Sequence, residues 1–96
     1  MKAYLVLDLS VNEFAGFKTY IDEIPAFIAK HSGRYIIRGD EPTTIEGDWT
    51  PARLVIIEFP ERAKAQAFLD DPDAQDLFKL RHATTTSRLL LADGCT

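Results

Sequence analysis

Six side chains in this sequence have the types and placement to handle a small anion or a proton. Arg38 and Arg53 flank a polar stretch that contains Glu46 and the single tryptophan, Trp49. A guanidinium beside an indole face, with a carboxylate such as Glu46 to orient it, can anchor a small carboxylate or enolate. Asp8 and Glu58 sit inside the apolar runs LVLDL and VIIEF. A carboxylate among aliphatic neighbours has a raised pKa and suits a general base, unless a cation pairs with it. Each group also has a plainer role. Arg38 or Arg53 with Glu46, and a stacked Trp49, could simply lock a long loop to the sheet; Glu58 could form a salt bridge with Arg34, Arg81 or Arg88.

The remaining reactive side chains point away from other chemistries. His31 and His82 are the only imidazoles, and no HxH, HExxH or cysteine cluster accompanies them, so no metal site is expected. His31 reads as a helix-end histidine facing the negative end of the dipole. Cys95 stands alone near the C-terminus and can form no internal disulfide, which suits a reducing, cytoplasmic setting. No glycine-rich phosphate loop or nucleophile elbow occurs, and no cofactor is implied. Eleven Lys and Arg against fifteen Asp and Glu give a net charge of −4, which leaves no basic footprint for nucleic acid. Apolar runs of about five residues fall far short of the roughly 20 needed to span a bilayer. Asp8 so close to Met1 argues against a secretory signal.

These groups are positioned by a chain of 96 residues, enough for one domain and one core. Lys2–Leu9 alternates as a strand, with Leu5, Leu7 and Leu9 on one face and Tyr4, Val6 and Asp8 on the other. Ser10 or Asn12 is placed to cap a helix over Glu13–Lys30, whose apolar residues recur at spacings of three and four. Pro25 predicts a kink or break near Glu23–Ile24. Gly33 reads as the left-handed residue that ends this helix. Strands follow at Tyr35–Arg38 and Arg53–Phe59, with a short strand expected at Thr43–Glu46. Helices at Glu61–Leu69 and Ala74–His82 are separated by Asp71-Pro72, a cap followed by a first-turn proline. Thr86–Ala92 is the last strand, and residues 93–96 read as a loose tail.

The order strand, helix, strand, strand, helix, strand is the split β-α-β arrangement of a ferredoxin-like α+β fold, a four-stranded antiparallel sheet with the first and third strands central. Helices cover one face of such a sheet. Val6, Leu54, Ile56 and some of Leu89, Leu90 and Leu91 would then form a wet apolar patch on the other. At roughly 25 cal/mol per Å2, a few hundred Å2 of such surface forgoes on the order of 10 kcal/mol of burial. A two-fold homodimer, closing into an α+β barrel, is the simplest remedy.

Tyr35-Ile36-Ile37-Arg38-Gly39, Ile45-Glu46-Gly47-Asp48-Trp49, Pro51, Arg53 and Val55-Ile56-Ile57-Glu58-Phe59-Pro60 together resemble the DUF1330 family of dimeric α+β-barrel proteins. The likeness continues through Ala65, Asp71-Pro72 and Arg81, so one domain spanning 1–96 is expected. The chain departs from the family pattern at Ser32-Gly33, where Gly-Gly is usual, at Phe68, where Trp is usual, and at Ala74, where Tyr is usual. The last removes a polar aromatic near the expected pocket. The resemblance implies the fold and the dimer but no defined activity. Two functions stay open: a cofactor-free enzyme, with Glu58 or Asp8 moving a proton while Arg38 and Arg53 hold an anion beside Trp49, or a ligand-binding or structural dimer without turnover.

Overall fold

In the computed structural model, which describes residues 1–96, β1 (Ala3–Val11) leads into α1 (Phe14–Lys30). β2 (Arg34–Asp40) and β3 (Arg53–Phe59) follow, then α2 (Arg62–Asp70), a 3-10 turn (Pro72–Ala74), α3 (Gln75–Thr84) and β4 (Thr85–Asp93). The strands form one antiparallel sheet in the order β2-β3-β1-β4, as a ferredoxin-like fold requires. No helix is long and apolar enough to cross a membrane.

Period-two alternation sorts the strands into a helix-covered face and an open face. Leu5, Leu7, Leu9, Ile57 and Phe59 are buried beneath the helices with Phe17, Ile24 and Ile28 of α1. α2 contributes Ala65 and Phe68. Phe68 links the core laterally, its ring centroid lying 5.6 Å from Phe59 and 5.4 Å from Phe78.

Several local expectations are corrected by contacts from distant parts of the chain. β1 runs on to Val11 because β4 pairs with it there, so Ser10 is a strand residue and caps nothing. Asn12 and Glu13 donate their backbone N–H groups to Thr84 O, and the Glu13 carboxylate accepts from Gly16 N at 3.0 Å as the actual cap. α1 passes through Pro25 without a break. Its C-terminus closes with Ser32 N on Ala29 O and Gly33 N on Ile28 O, and the left-handed residue is Ser32 (φ 65°), not Gly33. Thr43–Glu46 pairs with no strand, and Ile45 is left 90% exposed. The C-terminal tail is tied to β1 through Gly94 N on Lys2 O (2.7 Å) and Lys2 N on Thr96 O (3.1 Å).

Asp71 does more than cap the turn after it through Asp73 N. Its buried carboxylate also takes Lys30 Nζ at 2.8 Å and His31 Nε2 at 2.7 Å, clamping the end of α1 to the α2–α3 junction. The Lys30 and His31 hydrogen bonds and the Asp73 N–H hold this carboxyl well below the usual range. A depressed folded pKa gives stability that is present above the unfolded value of about 3.9 and lost progressively as pH falls from there through the folded pKa. Asp71→Asn should therefore lower the melting temperature at pH 7 more than Asp22→Asn or Asp93→Asn, and flatten the acid limb of stability below about pH 4. Melts across pH 2–7 check this; an unchanged acid limb would remove Asp71 from the clamp.

Candidate functional site

The open face of the sheet is laid out in rows that run across the strands. Its middle row is aliphatic: Leu90, Val6, Ile56 and Ile37 are successive register partners. One flanking row runs Arg88, Asp8, Leu54, Asp40, and the other Ala92, Tyr4, Glu58, Arg34. Leu90 is 65% exposed. Of Leu89, Leu90 and Leu91, only Leu90 faces this side, since Leu89 pairs with Leu7 and Leu91 with Leu5.

Over the Asp8 row the β2–β3 connection folds back. Gly47 (φ 84°) makes the turn that a side chain would strain, and Thr44 Oγ1 donates to Trp49 O at 2.9 Å. The Trp49 indole, 57% exposed, then donates from Nε1 to Asp8 Oδ2 at 2.9 Å. Arg88 stands opposite Asp8 on β4 yet makes no ion pair with it or with any other carboxylate. Val6, Asp8, Trp49, Thr86, Arg88 and Leu90 line a cavity of about 800 Å3 here. It offers a carboxylate oxygen, a free guanidinium and an indole wall.

Of the six residues singled out by type, the structure joins Asp8 and Trp49 by a hydrogen bond and groups Arg38 with Arg53 elsewhere. Glu58 faces the same side but lies four residues further along the sheet, roughly 13 Å away. It accepts from Arg34 Nε at 3.0 Å and Tyr4 Oη at 3.3 Å, with Lys2 Nζ at 3.7 Å. Partial burial pushes its carboxyl up, but the Arg34 hydrogen bond and charge, helped by Lys2 and Tyr4, hold it below the ordinary value. Of the two roles open to Glu58, a base with a raised pKa or a salt-bridge partner, the structure shows the second, with Arg34. Glu46 lines a shallow hollow with Pro42, Ile45, Trp49 and Leu54 and makes no ion pair there.

Arg38 and Arg53 are on the opposite, helix-covered face. A register irregularity at Ile36 turns Arg38 there, while Arg53, opposite Leu9, simply shares the face of Val55 and Ile57. Because Ile36 is the extra residue, Tyr35 and Arg38 fall on the same face, and the Arg38 guanidinium lies 4.5 Å from the Tyr35 ring centroid. Arg53 Nη1 donates to Gly39 O at 3.2 Å. Neither arginine reaches Trp49 or Glu46 as an anchor. The position of Arg88 beside Asp8 follows only from the β1–β4 register, which no local pattern in the sequence reveals. No three His, Cys, Asp or Glu side chains come together as a metal site.

Solved structures similar to this chain cover nearly all of it. A protein of unknown function from Rhodopseudomonas palustris is 16% identical with a TM-score of 0.80, covering 99% of this chain and 83% of its own. SnoaB, a cofactor-independent oxygenase from Streptomyces nogalater, is 19% identical with a TM-score of 0.70, covering 99% and 94%. A dimeric ferredoxin-like protein of unknown function from Jannaschia sp. CCS1 is 14% identical with a TM-score of 0.65, covering 98% and 100%. At such identities the likeness establishes the fold alone. Among curated proteins none matches the chain. The family described as "Domain of unknown function (DUF1330)" matches residues 2–95, and the chain belongs to that family.

Proposed function

We propose that two copies of this chain close their open sheet faces on each other, and that the enclosed cavity binds and deprotonates a small anionic or aromatic metabolite without a cofactor. The observation that carries this reading is the Asp8–Trp49 hydrogen bond at the wall of the cavity, beside an unpaired Arg88. Trp49 occupies Asp8 Oδ2 and fixes the carboxylate plane, leaving Oδ1 to take a proton from a substrate hydroxyl. Arg88 holds the resulting oxyanion, and the indole lies against the ring. The aliphatic row gives the dimer an apolar centre between two polar margins, the usual anatomy of a lasting interface.

Two of the fold neighbours lend support. The Jannaschia protein is described as dimeric, and SnoaB as a cofactor-independent oxygenase. An oxidation by dioxygen without a cofactor draws its electrons from the substrate, and ionising a phenol or enol is what makes them available. The second reading, a binding dimer without turnover, is favoured by Glu58, whose ion pairs make it a structural carboxylate.

Trp49 supplies the test, because the single tryptophan reports on the cavity through its emission. Small phenols should quench it saturably. Arg88→Ala should weaken binding roughly 10- to 150-fold, the equivalent of about 1.5–3 kcal/mol for a charge-assisted hydrogen bond. Asp8→Asn should keep binding while lowering turnover of the ligand so found by roughly 100- to 10,000-fold. Binding without any turnover in the unmodified protein would select the second reading, and binding indifferent to Arg88 would remove the site.

A further inference from the structure

A second cavity lies on the other side of the sheet, between α1 and the β2–β3 edge, and its chemistry is unlike that of the first. It measures about 240 Å3, and eleven of its fourteen lining residues are hydrophobic. Leu9, Phe17, Val55 and Ile57 belong to its apolar wall, and Phe14, 62% exposed, is an apolar side chain left facing solvent on the same lining. The only charged residues in the lining are Arg38 and Arg53. Neither pairs with any carboxylate of the chain.

Both guanidiniums are already held in place. Arg38 is stacked on Tyr35, and Arg53 spends one of its five N–H donors on Gly39 O. The remaining donors are available, at little entropic cost, to an acceptor that brings its own negative charge. A third arginine adds to the same field. Arg81 is 5% exposed, its guanidinium lying 5.9 Å from the ring centroid of Tyr20, which itself lines the cleft. Arg81 donates to Ser87 Oγ, its Nε has no partner, and no carboxylate neutralises it. The helix-covered layer around this cleft thus carries three unpaired positive charges and an apolar interior. It rejects cations and suits an apolar body with an anionic end.

We propose that this cleft is a binding site for a small amphipathic anion, one aromatic or branched aliphatic body ending in a single carboxylate. The body enters against Leu9, Phe17, Val55 and Ile57, and the carboxylate stays with Arg38 and Arg53. Size sets the class: an engineered apolar cavity of about 150 Å3 in another protein takes benzene, so 240 Å3 holds one ring and a short acid arm. The site is separate from the Asp8–Trp49 cavity, lies on the face turned away from the proposed dimer contact, and depends on neither.

Phenylacetate is the probe, with phenylacetamide as its neutral counterpart. Methyl NMR spectra locate binding, and titration measures it. Phenylacetate should shift the Leu9, Val55 and Ile57 methyls saturably while leaving Val6 and Leu90, on the open face, unmoved. Phenylacetamide should bind at least about tenfold more weakly, as loss of a charge-assisted hydrogen bond implies. Arg38→Ala or Arg53→Ala should weaken phenylacetate by a similar factor and leave phenylacetamide unchanged, while Arg62→Ala, remote on α2, changes neither. Arg38→Gln and Arg53→Gln, which keep the side-chain stem, replace any alanine variant whose melt shows a lost fold. Equal affinity for acid and amide, shifts at Val6 and Leu90 instead, or no saturable shift at millimolar phenylacetate would each overturn the proposal. Failure here leaves Trp49 quenching by ligands of the open face untouched, so the two sites are judged separately.

Discussion

Gly33→Ala should cost about 1–3 kcal/mol, although the glycine adopts an ordinary backbone conformation. A methyl built there would lie 2.6 Å from Phe59 Cε1, 2.9 Å from Cζ and 3.0 Å from Ile28 Cγ2. Phe59 is fully buried and cannot swing aside without pressing on Phe68, which in turn meets Phe78. For a domain of this size the melting temperature should fall on the order of 5–20 °C. The neighbouring Ser32→Gly should be neutral or stabilising by up to about 1 kcal/mol, because it relieves a left-handed residue at φ 65°. Calorimetry on the pair decides: a harmless Gly33→Ala beside a damaging Ser32→Gly would reverse the roles given to the two residues.

The second large effect is expected at Val6→Lys. Val6 is half-buried on the open face, between Leu90 and Ile56 in the aliphatic row. Its side chain points away from the core, so a lysine there leaves the single subunit folded. In a two-fold dimer the change is made twice across one contact, setting two ammonium groups into an apolar centre with no carboxylate provided for them. Dissociation should strengthen at least about 100-fold, from more than 1.4 kcal/mol lost per copy. Size-exclusion chromatography should show the single subunit, with a far-ultraviolet spectrum matching the unmodified protein. Leu90→Lys should act alike, whereas Arg62→Ala, on the helix side, should not. Unchanged elution of both lysine variants would place the contact elsewhere.

Much of this fold is legible because burial imposes a period on each element. Leu5, Leu7 and Leu9 against Tyr4, Val6 and Asp8 define both faces of β1, and with them the greasy row that calls for a cover. What stays hidden depends on neighbours remote in sequence. Asn12 looks like a cap until Thr84 O arrives from the far end of the chain and takes its N–H. Gly33 looks like a turn residue until the Phe59 ring is laid against it. His31 looks like a helix-end charge until Asp71, 40 residues on, closes over it.

The functional residues show the same division. Their types are visible, but their grouping depends on register. Asp8 and Trp49 meet because the β2–β3 connection folds back over the open face. A single extra residue at Ile36 turns Arg38 to the other side, so two arginines that look like partners for Trp49 line a different cavity. Arg88 reads in the sequence as a partner for Glu58, and only the register sets it opposite Asp8 instead. Glu58 shows why an acid in an aliphatic run is weak evidence for a base: Arg34, Lys2 and Tyr4 lie within reach of it.

Sedimentation equilibrium of the unmodified protein at micromolar concentration tests the closure of the open face most directly. A mass twice that of the 10.8 kDa chain is expected, persisting on dilution until the low-micromolar range or below. A species of 10.8 kDa throughout would leave Leu90, Val6 and Ile56 in water and remove the enclosure on which the Asp8–Trp49 site depends.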